Sequence, residues 1–154
     1  MIKGSNEDDI ICSVAEQINY GIDNSSVQSP ELRLDLADLN EMAGAKAVDC
    51  SHYATARSYL SIAVSLLPTD HWKSRYDRSL RLFFLLAKSS YSCGDVEKAH
   101  DTLQELLEEC HCIEDKLPAY FLQVTSKYHV GLYFFNFYNI VLLILANLCN
   151  NFSP

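Results

Sequence analysis

Positive charge is scarce in this sequence. Lys and Arg together number 12 against 20 Asp and Glu, which gives a formal net charge of −8. Binding to a nucleic-acid backbone needs clustered basic side chains. The densest basic group here alternates with Trp72, Tyr76 and Leu80, which is the pattern of the solvent-exposed face of a helix. That group consists of Lys73, Arg75, Arg78 and Arg81. The composition therefore argues against nucleic acid as the main partner.

A secretory segment is also missing from the first residues. Glu7, Asp8 and Asp9 fall where a signal peptide would carry an apolar run. The six cysteines, at positions 12, 50, 93, 110, 112 and 149, would suggest disulfides in a small secreted protein. Without such a signal we expect free thiols in a reducing compartment, and hence a cytoplasmic location.

Catalytic and metal-binding constellations are weak as well. Cys50 and His52 are the nearest thiol–base pair, but residues two apart on a helix do not face each other. Zinc ligands come in pairs spaced by two to four residues, whereas Cys110, His111 and Cys112 are contiguous, which favours a buried Cys110 and a solvated His111 at a helix end. The carboxylate pairs, Glu108–Glu109 and Glu114–Asp115, lie in polar stretches. We therefore expect no enzyme, no cofactor and no metal site.

One amphipathic helix with a defined end organises the chain. It spans residues 51–68 and ends at Pro68, because proline disfavours helical geometry in the residue before it. Its inner face carries small residues at regular spacing, and the same face returns 43 residues later. The corresponding positions are Ala56, Leu60 and Ala63 in the first copy and Ala99, Leu103 and Leu106 in the second. A repeated face of this kind predicts stacked helices.

The remaining helices follow from the same periodicity and from capping residues. Ser29 is a suitable cap with Pro30 at the first helical position, and Gly44 is expected where a neighbouring helix approaches closely. Residues 29–68 then form an antiparallel hairpin. The predicted buried positions are Ile10, Ile11, Val14 and Ile18 in the first helix, and Leu32, Leu36, Leu39, Met42, Ala43 and Ala47 in the second.

A second hairpin is predicted after Thr69. Its first helix is one long segment from Trp72 to Tyr91, in which the Trp72–Tyr76 pair belongs either to the core or to a surface that anchors a partner. Its second helix begins at Asp95, with Val96, Ala99, Leu103, Leu106, Leu107 and Cys110 inside. A last helix starts near Glu114, with Pro118 in its first turn and Tyr120, Phe121, Val124 and Tyr128 packing back on the hairpin. The fold class is therefore all-α, with five or six helices within residues 1–128.

Residues 129–154 differ in composition from everything before them. They contain no Asp, Glu, Lys or Arg, and the run 130–149 has the length of a membrane span. Asn136, Asn139 and Asn147 weaken that interpretation. The alternatives are an apolar terminal helix that packs on the last hairpin, or a tail that does not belong to the parent fold.

Two resemblances accompany this pattern. Gly44, Ala56, Leu60, Ala63 and Pro68 resemble a tetratricopeptide repeat, although the offset is 43 residues instead of about 34. The surplus fits an extended helix over residues 69–77. Residues 6–126 also resemble the helical region that follows the AAA-type ATPase module in large multidomain signalling ATPases. That similarity rests on LADLN…AG.KA…S.Y..A..YL at 36–60, on W…Y at 72–76, on Y..GD at 91–95 and on EDKLPAYF at 114–121.

The resemblance implies a short tetratricopeptide-like solenoid that acts as a protein-interaction or scaffold module, as a fragment or relic of a signalling ATPase. The phosphate-binding loop GxxxxGK[ST] does not occur in the chain, so ATPase activity is not implied. The expected partner is a protein, a peptide or a neighbouring domain, and self-association is plausible with only two hairpins. Candidate groove positions are Asn40, Lys46, Arg81 and Lys88. The alternative is a membrane-tethered helical protein anchored through residues 130–149.

Overall fold

The computed structural model of the chain describes residues 5–21 and 29–128, and this part is all-α, as the sequence predicted. It contains seven helices and no strand within those residues. They are α1 (Ser5–Gly21), α2 (Pro30–Asp49), α3 (Tyr53–Ser65), α4 (His71–Ser74), α5 (Tyr76–Ser92), α6 (Val96–Glu109) and α7 (Ile113–Tyr128). In the described part no helix is both long enough and apolar enough to cross a membrane. The predicted span at 130–149 lies outside the described residues.

Helices α2 and α3 form the first hairpin through local signals that the sequence carries. The Ser29 hydroxyl accepts a hydrogen bond from the Leu32 amide, and Pro30 occupies the first helical turn. After Asp49 the chain reverses through Ser51, whose positive φ of 60° closes the turn. The His52 amide donates to the Ala47 carbonyl at 2.8 Å, so the end of α2 is capped by the turn itself. The hairpin and the Ser29 cap were predicted, whereas α3 is shorter than the predicted helix over residues 51–68 at both ends.

The contact between α2 and α3 depends on Gly44. A Cβ atom at this position would lie 2.7 Å from Leu60 Cγ and 2.8 Å from Leu60 Cδ2. Ala56 and Leu60 are fully buried at the same contact. The predicted close approach at Gly44 is therefore confirmed, and the helix tolerates the weak helical propensity of glycine in exchange for packing.

The first helix of the second hairpin is broken, which corrects the prediction of one long helix from Trp72 to Tyr91. Arg75 has φ −144° and ψ 43°, outside the helical range, and it separates α4 from α5. The break directs Trp72 into the core, where its ring lies 4.8 Å from that of Phe83. The Ser79 hydroxyl holds the kink by bonding His71 Nδ1 at 2.9 Å. Local periodicity could not predict a break that is set by these tertiary contacts.

Two further boundaries of the second hairpin agree with the sequence. Gly94 takes a φ of +81°, a left-handed conformation that glycine adopts without strain. The Asp95 carboxylate then accepts from the Lys98 amide at 3.2 Å and begins α6. Pro118 differs from the prediction, because it is the sixth residue of α7 and so lies beyond the first turn.

The main core surrounds α5. Helix α3 packs on one side of it and α6 on the other, while α7 contacts both α5 and α6. All six positions of the predicted 43-residue repeat are buried, so the repeated inner face is confirmed: Ala56, Leu60 and Ala63 in α3, and Ala99, Leu103 and Leu106 in α6. From α5, Leu82, Phe83, Leu86 and Ala87 complete this core. The solenoid arrangement stays a prediction.

Several large apolar residues that were predicted to be buried are exposed. They are Ile10, Val14, Leu32, Met42, Val96 and Phe121, each more than 40% accessible. The helix contacts are made instead by smaller residues on adjacent positions, notably Ala15 in α1 and Ala37 in α2, which are fully buried. Because small side chains bring the helix axes close together, bulky neighbours on the same helices are displaced toward solvent.

Candidate groove between α5 and α7

A cleft of about 330 Å³ lies between α5 and α7. Helix α5 presents four residues at spacings of three and four, so they share one face. Helix α7 supplies the opposite wall, and Leu106 of α6, which is buried, forms part of the floor. We call this cleft the α5–α7 groove. Its lining residues are Asp77, Leu80, Arg81 and Phe84 from α5, Leu106 from α6, and Glu114, Asp115 and Pro118 from α7.

The groove combines an apolar centre with a polar rim. Leu80 and Phe84 are half-buried and pack against the main core, so their exposed parts face the cleft. Pro118 contributes apolar surface and has no amide proton. It therefore cannot donate a hydrogen bond to the carbonyl of Glu114, four residues earlier. That carbonyl, at the groove wall, does not receive the regular helical hydrogen bond.

The charges on the rim are mainly negative. Asp77, Glu114 and Asp115 stand against a single cation, Arg81. The Arg81 guanidinium binds the carboxylate of Glu41 on α2, so its charge is already neutralised within the fold. Because the whole chain also carries a net charge of −8, a basic ligand segment would be attracted to this rim.

Tyr76 fixes the position of α7 relative to α5. Its hydroxyl donates to Asp115 Oδ2 at 2.6 Å and accepts from the His111 amide at 3.0 Å. The Tyr76 ring stacks on the His111 ring at a centroid distance of 3.9 Å and an angle of 7°. These three residues, which we call the Tyr76 cluster, join the start of α5 to the turn between α6 and α7, and so set the width of the groove.

Two pKa values in the Tyr76 cluster depart from their ordinary ranges. Burial and the hydrogen bond to Asp115 raise the pKa of Tyr76 to about 12. The same bond, together with one from Cys112, lowers the pKa of the Asp115 carboxyl. The hydrogen bond between them contributes to both shifts, because it requires a protonated phenol and an ionised carboxylate.

Replacing Tyr76 with phenylalanine is expected to lower the free energy of unfolding by about 1 kcal/mol at neutral pH, the usual net value of a hydrogen bond. Because the folded pKa of Asp115 is depressed, its contribution is present above the unfolded value near 3.9 and is lost as the pH falls further. The contribution of Tyr76 is complete below pH 10.0 and is lost as the pH rises toward about 12.

Urea denaturation of both proteins between pH 3 and pH 11 measures this difference. The gap in free energy of unfolding between the wild type and Tyr76→Phe should become smaller at both ends of the pH range. Tyr53→Phe on α3 is the matched control and should show no such bell-shaped gap. A gap that stays constant across the range would exclude the Asp115 hydrogen bond as its source.

The four residues that the sequence predicted to line a groove lie in different environments. Arg81 lines the α5–α7 groove. Lys46 on α2 and Lys88 on α5 are half-buried and do not line it. Asn40 is fully buried, and its amide exchanges hydrogen bonds of 2.7 and 3.1 Å with Asn19 of α1. We therefore leave Asn40 out of the groove.

Sequence reasoning missed most of the groove. The signal on α5 was present, since Asp77, Leu80, Arg81 and Phe84 repeat at helical spacing, but only Arg81 was predicted to line a groove. The α7 wall could not be placed, because nothing local predicts on which side of α5 the helix packs. Trp72, left open between core and surface, is buried, and its indole Nε1 donates to Glu105 at 3.3 Å.

The cysteine and histidine candidates lie in two turns, one between α6 and α7 and one between α2 and α3. Cys110 is buried and His111 exposed, as predicted, and burial raises the pKa of the Cys110 thiol. Cys50 and His52 are both exposed at the turn between α2 and α3. Within residues 5–21 and 29–128 no three His, Cys, Asp or Glu side chains are arranged to hold a metal ion.

Another cavity, of about 520 Å³, lies between α1 and α3. Three polar groups in its wall are engaged within the fold. Arg57 pairs with Asp95 at 2.5 Å, the Tyr59 hydroxyl donates to the Cys12 carbonyl at 3.2 Å, and Asn19 bonds Asn40. The α5–α7 groove is the better candidate, because Leu80, Phe84 and Pro118 give it an apolar centre.

No protein-family model matches this chain, and neither a curated protein nor a solved structure does. The resemblance to the helical region of signalling ATPases therefore rests on the quoted sequence motifs alone.

Proposed function

We propose that this chain is a non-catalytic protein-interaction module whose α5–α7 groove binds a helical segment of a protein partner or of a neighbouring domain. The observation that carries the proposal is the open apolar centre formed by Leu80, Phe84 and Pro118 between two helices. An amphipathic helix buries its apolar face in such a groove through residues spaced by three and four. The tetratricopeptide-like pattern of the sequence supports the same role.

The shape of the groove favours a peptide over a small metabolite. A volume of about 330 Å³ is at the lower limit for a ligand pocket, and the cleft runs between the walls of two helices. The rim carries carboxylates and the chain is acidic overall, so the segment that fits is apolar on one face and carries Lys or Arg at its edges. An acidic segment would be repelled.

The test is a selection from displayed 16-residue helical peptides against the full chain. We expect enriched sequences to combine apolar residues four apart with flanking Lys or Arg. The double variant Asp77→Lys/Glu114→Lys should weaken the binding of a selected peptide at least tenfold, because it reverses the charge of the rim. The control Glu97→Lys/Asp101→Lys makes the same change in net charge on exposed positions of α6 and should leave the affinity within twofold.

Two results would contradict peptide binding at the groove. One is a selection that yields no binder from the library. The other is a set of binders whose affinity responds equally to both double variants, which would indicate general charge attraction in place of groove binding. ATP hydrolysis that remains with the chain through successive purification steps would contradict the non-catalytic part of the proposal.

A further inference from the structure

The two ends of the α5–α7 groove carry different charges. Helix α6 reverses the chain between α5 and α7, so these two helices run in the same direction, and the hydrogen bond from Tyr76 to Asp115 joins their first turns. The three carboxylates of the rim all lie in those first turns, Asp77 in α5 and Glu114 and Asp115 in α7. The acidic end of the groove is therefore the end at which both helices begin.

This end keeps a negative charge although it includes two helix N-termini. Each N-terminus contributes roughly half a positive elementary charge, whereas each of the three ionised carboxylates contributes a full negative charge. The hydroxyl of Tyr76 donates to Asp115 and so stabilises the ionised form of that carboxylate. The acidic end therefore retains about two negative charges.

Farther along the groove, the same two helix faces carry other side chains. Positions spaced by four, three and four residues share one face of a helix. They are Asp77, Arg81, Phe84 and Lys88 on α5, and Glu114, Pro118, Phe121 and Thr125 on α7. Phe121 is 71% exposed, so it extends the apolar centre by one turn. Lys88 lies one turn beyond Phe84, and this end of the two faces is therefore apolar and then positive.

We propose that the groove binds a charge-polarised amphipathic helix antiparallel to α5 and α7, with Lys or Arg in its last turn against Asp77 and Glu114 and an acidic residue in its first turn near Lys88. The inference rests on the proposed function and specifies the partner and its direction. From Asp77 to Lys88 the helical rise is about 17 Å, so three turns of a bound helix cover the surface. Helix α6 already packs on α5 and α7 in this direction within the fold.

The direction follows from the charges that each orientation demands of the partner. Cations stabilise a helix in its last turn and anions stabilise it in its first turn. An antiparallel helix with these charges meets Asp77 and Glu114 at one end and Lys88 at the other. A parallel helix would need Lys or Arg in its first turn, where they oppose its own dipole. Without them its N-terminus would bring only about half a positive charge to the rim, less than two basic side chains bring.

A pair of labelled peptides tests the direction of binding to the full chain. The probe is a 16-residue peptide with Glu in its first turn, Leu at positions spaced by three and four, and Lys in its last turn, with a nitroxide at one end or the other. The C-terminal nitroxide should broaden the amide NMR signals of Asp77 and Glu114, and the N-terminal nitroxide those of Lys88 and Thr125. The two ends of the helical peptide are about 24 Å apart, so the two patterns are separable.

The variant Lys88→Glu tests the far end of the groove. It should weaken binding of the unlabelled peptide at least fivefold, because a repulsion replaces an attraction. The control Lys98→Glu makes the same charge change at an exposed position of α6 and should change the affinity less than twofold. A peptide with Gln in place of the first-turn Glu should also respond to Lys88→Glu by less than twofold, which would assign the effect to that pair of charges.

The outcomes separate this inference from the proposed function. Binding with the reversed broadening pattern, or with both patterns together, would overturn the antiparallel direction and leave groove binding in place. Equal affinities of Lys88→Glu and Lys98→Glu for the peptide would overturn the contact at Lys88. If neither this peptide nor its charge-reversed counterpart binds the chain, the proposed function fails and this inference fails with it.

Discussion

Replacing Leu60 with alanine is expected to destabilise the chain by about 2–5 kcal/mol, the range for removing a fully buried leucine side chain. Leu60 has no accessible surface and belongs to the core that joins α3, α5 and α6. It also fills the space above Gly44, where no side chain from α2 can take its place. The cavity that the substitution creates would therefore remain partly open. Its cost adds to the transfer free energy lost with the leucine side chain.

Urea denaturation monitored by circular dichroism measures this change in the free energy of unfolding. Leu32→Ala is the matched control, because Leu32 is 45% exposed on α2 and its loss should cost less than about 1 kcal/mol. Equal costs for the two variants would show that Leu60 is not in a tightly packed core. A change well above 5 kcal/mol would indicate that the hairpin itself fails to form.

Replacing Gly44 with valine should cost about 3 kcal/mol, the upper end of the usual range for overpacking. The new Cβ would meet Leu60 Cγ at 2.7 Å, and this atom is near the backbone, so it cannot move aside without shifting α3. The better helical propensity of valine returns only a few tenths of a kcal/mol. The steric clash therefore outweighs the gain in helical propensity, and the substitution should lower the free energy of unfolding.

A double-variant cycle separates that contact from other effects. In the Leu60→Ala background the opposing atoms are gone, so Gly44→Val should cost less than half as much as in the wild type. Gly21→Val is the control, because a Cβ at Gly21 meets nothing within 4 Å, and it should change stability by less than about 0.5 kcal/mol. Additive effects of the two core substitutions would contradict the packing described for Gly44.

Features that depend on neighbours in sequence were predictable. The Ser29 cap and the start of α6 at Asp95 each follow from one residue type in one local conformation. The repeat of Ala56 at Ala99 was also visible, because both helices pack on the same central helix and need the same small side chain there.

Features that depend on distant residues were not predictable. The break at Arg75 follows from the contact of Trp72 with Phe83, eleven residues away. Asn40 is buried because Asn19, 21 residues earlier, supplies its hydrogen bonds. The candidate groove exists because α7 packs beside α5, and only its α5 wall has a signal in the sequence. The stacking of the hairpins as a solenoid, the interaction role and the fate of residues 130–149 stay predictions.

The ion pairs between α2 and α5 make Arg81 sensitive to the salt concentration of its surroundings. The side chains of Arg78 and Glu41 are only 14% and 12% exposed, and their contact of 2.9 Å is largely shielded from dissolved ions. Arg81 shares Glu41 but is 60% exposed, so screening weakens its hold first. Rising ionic strength therefore weakens the Arg81–Glu41 pair while the Arg78–Glu41 pair keeps α2 joined to α5, and the same screening weakens the attraction of the acidic rim for a basic segment.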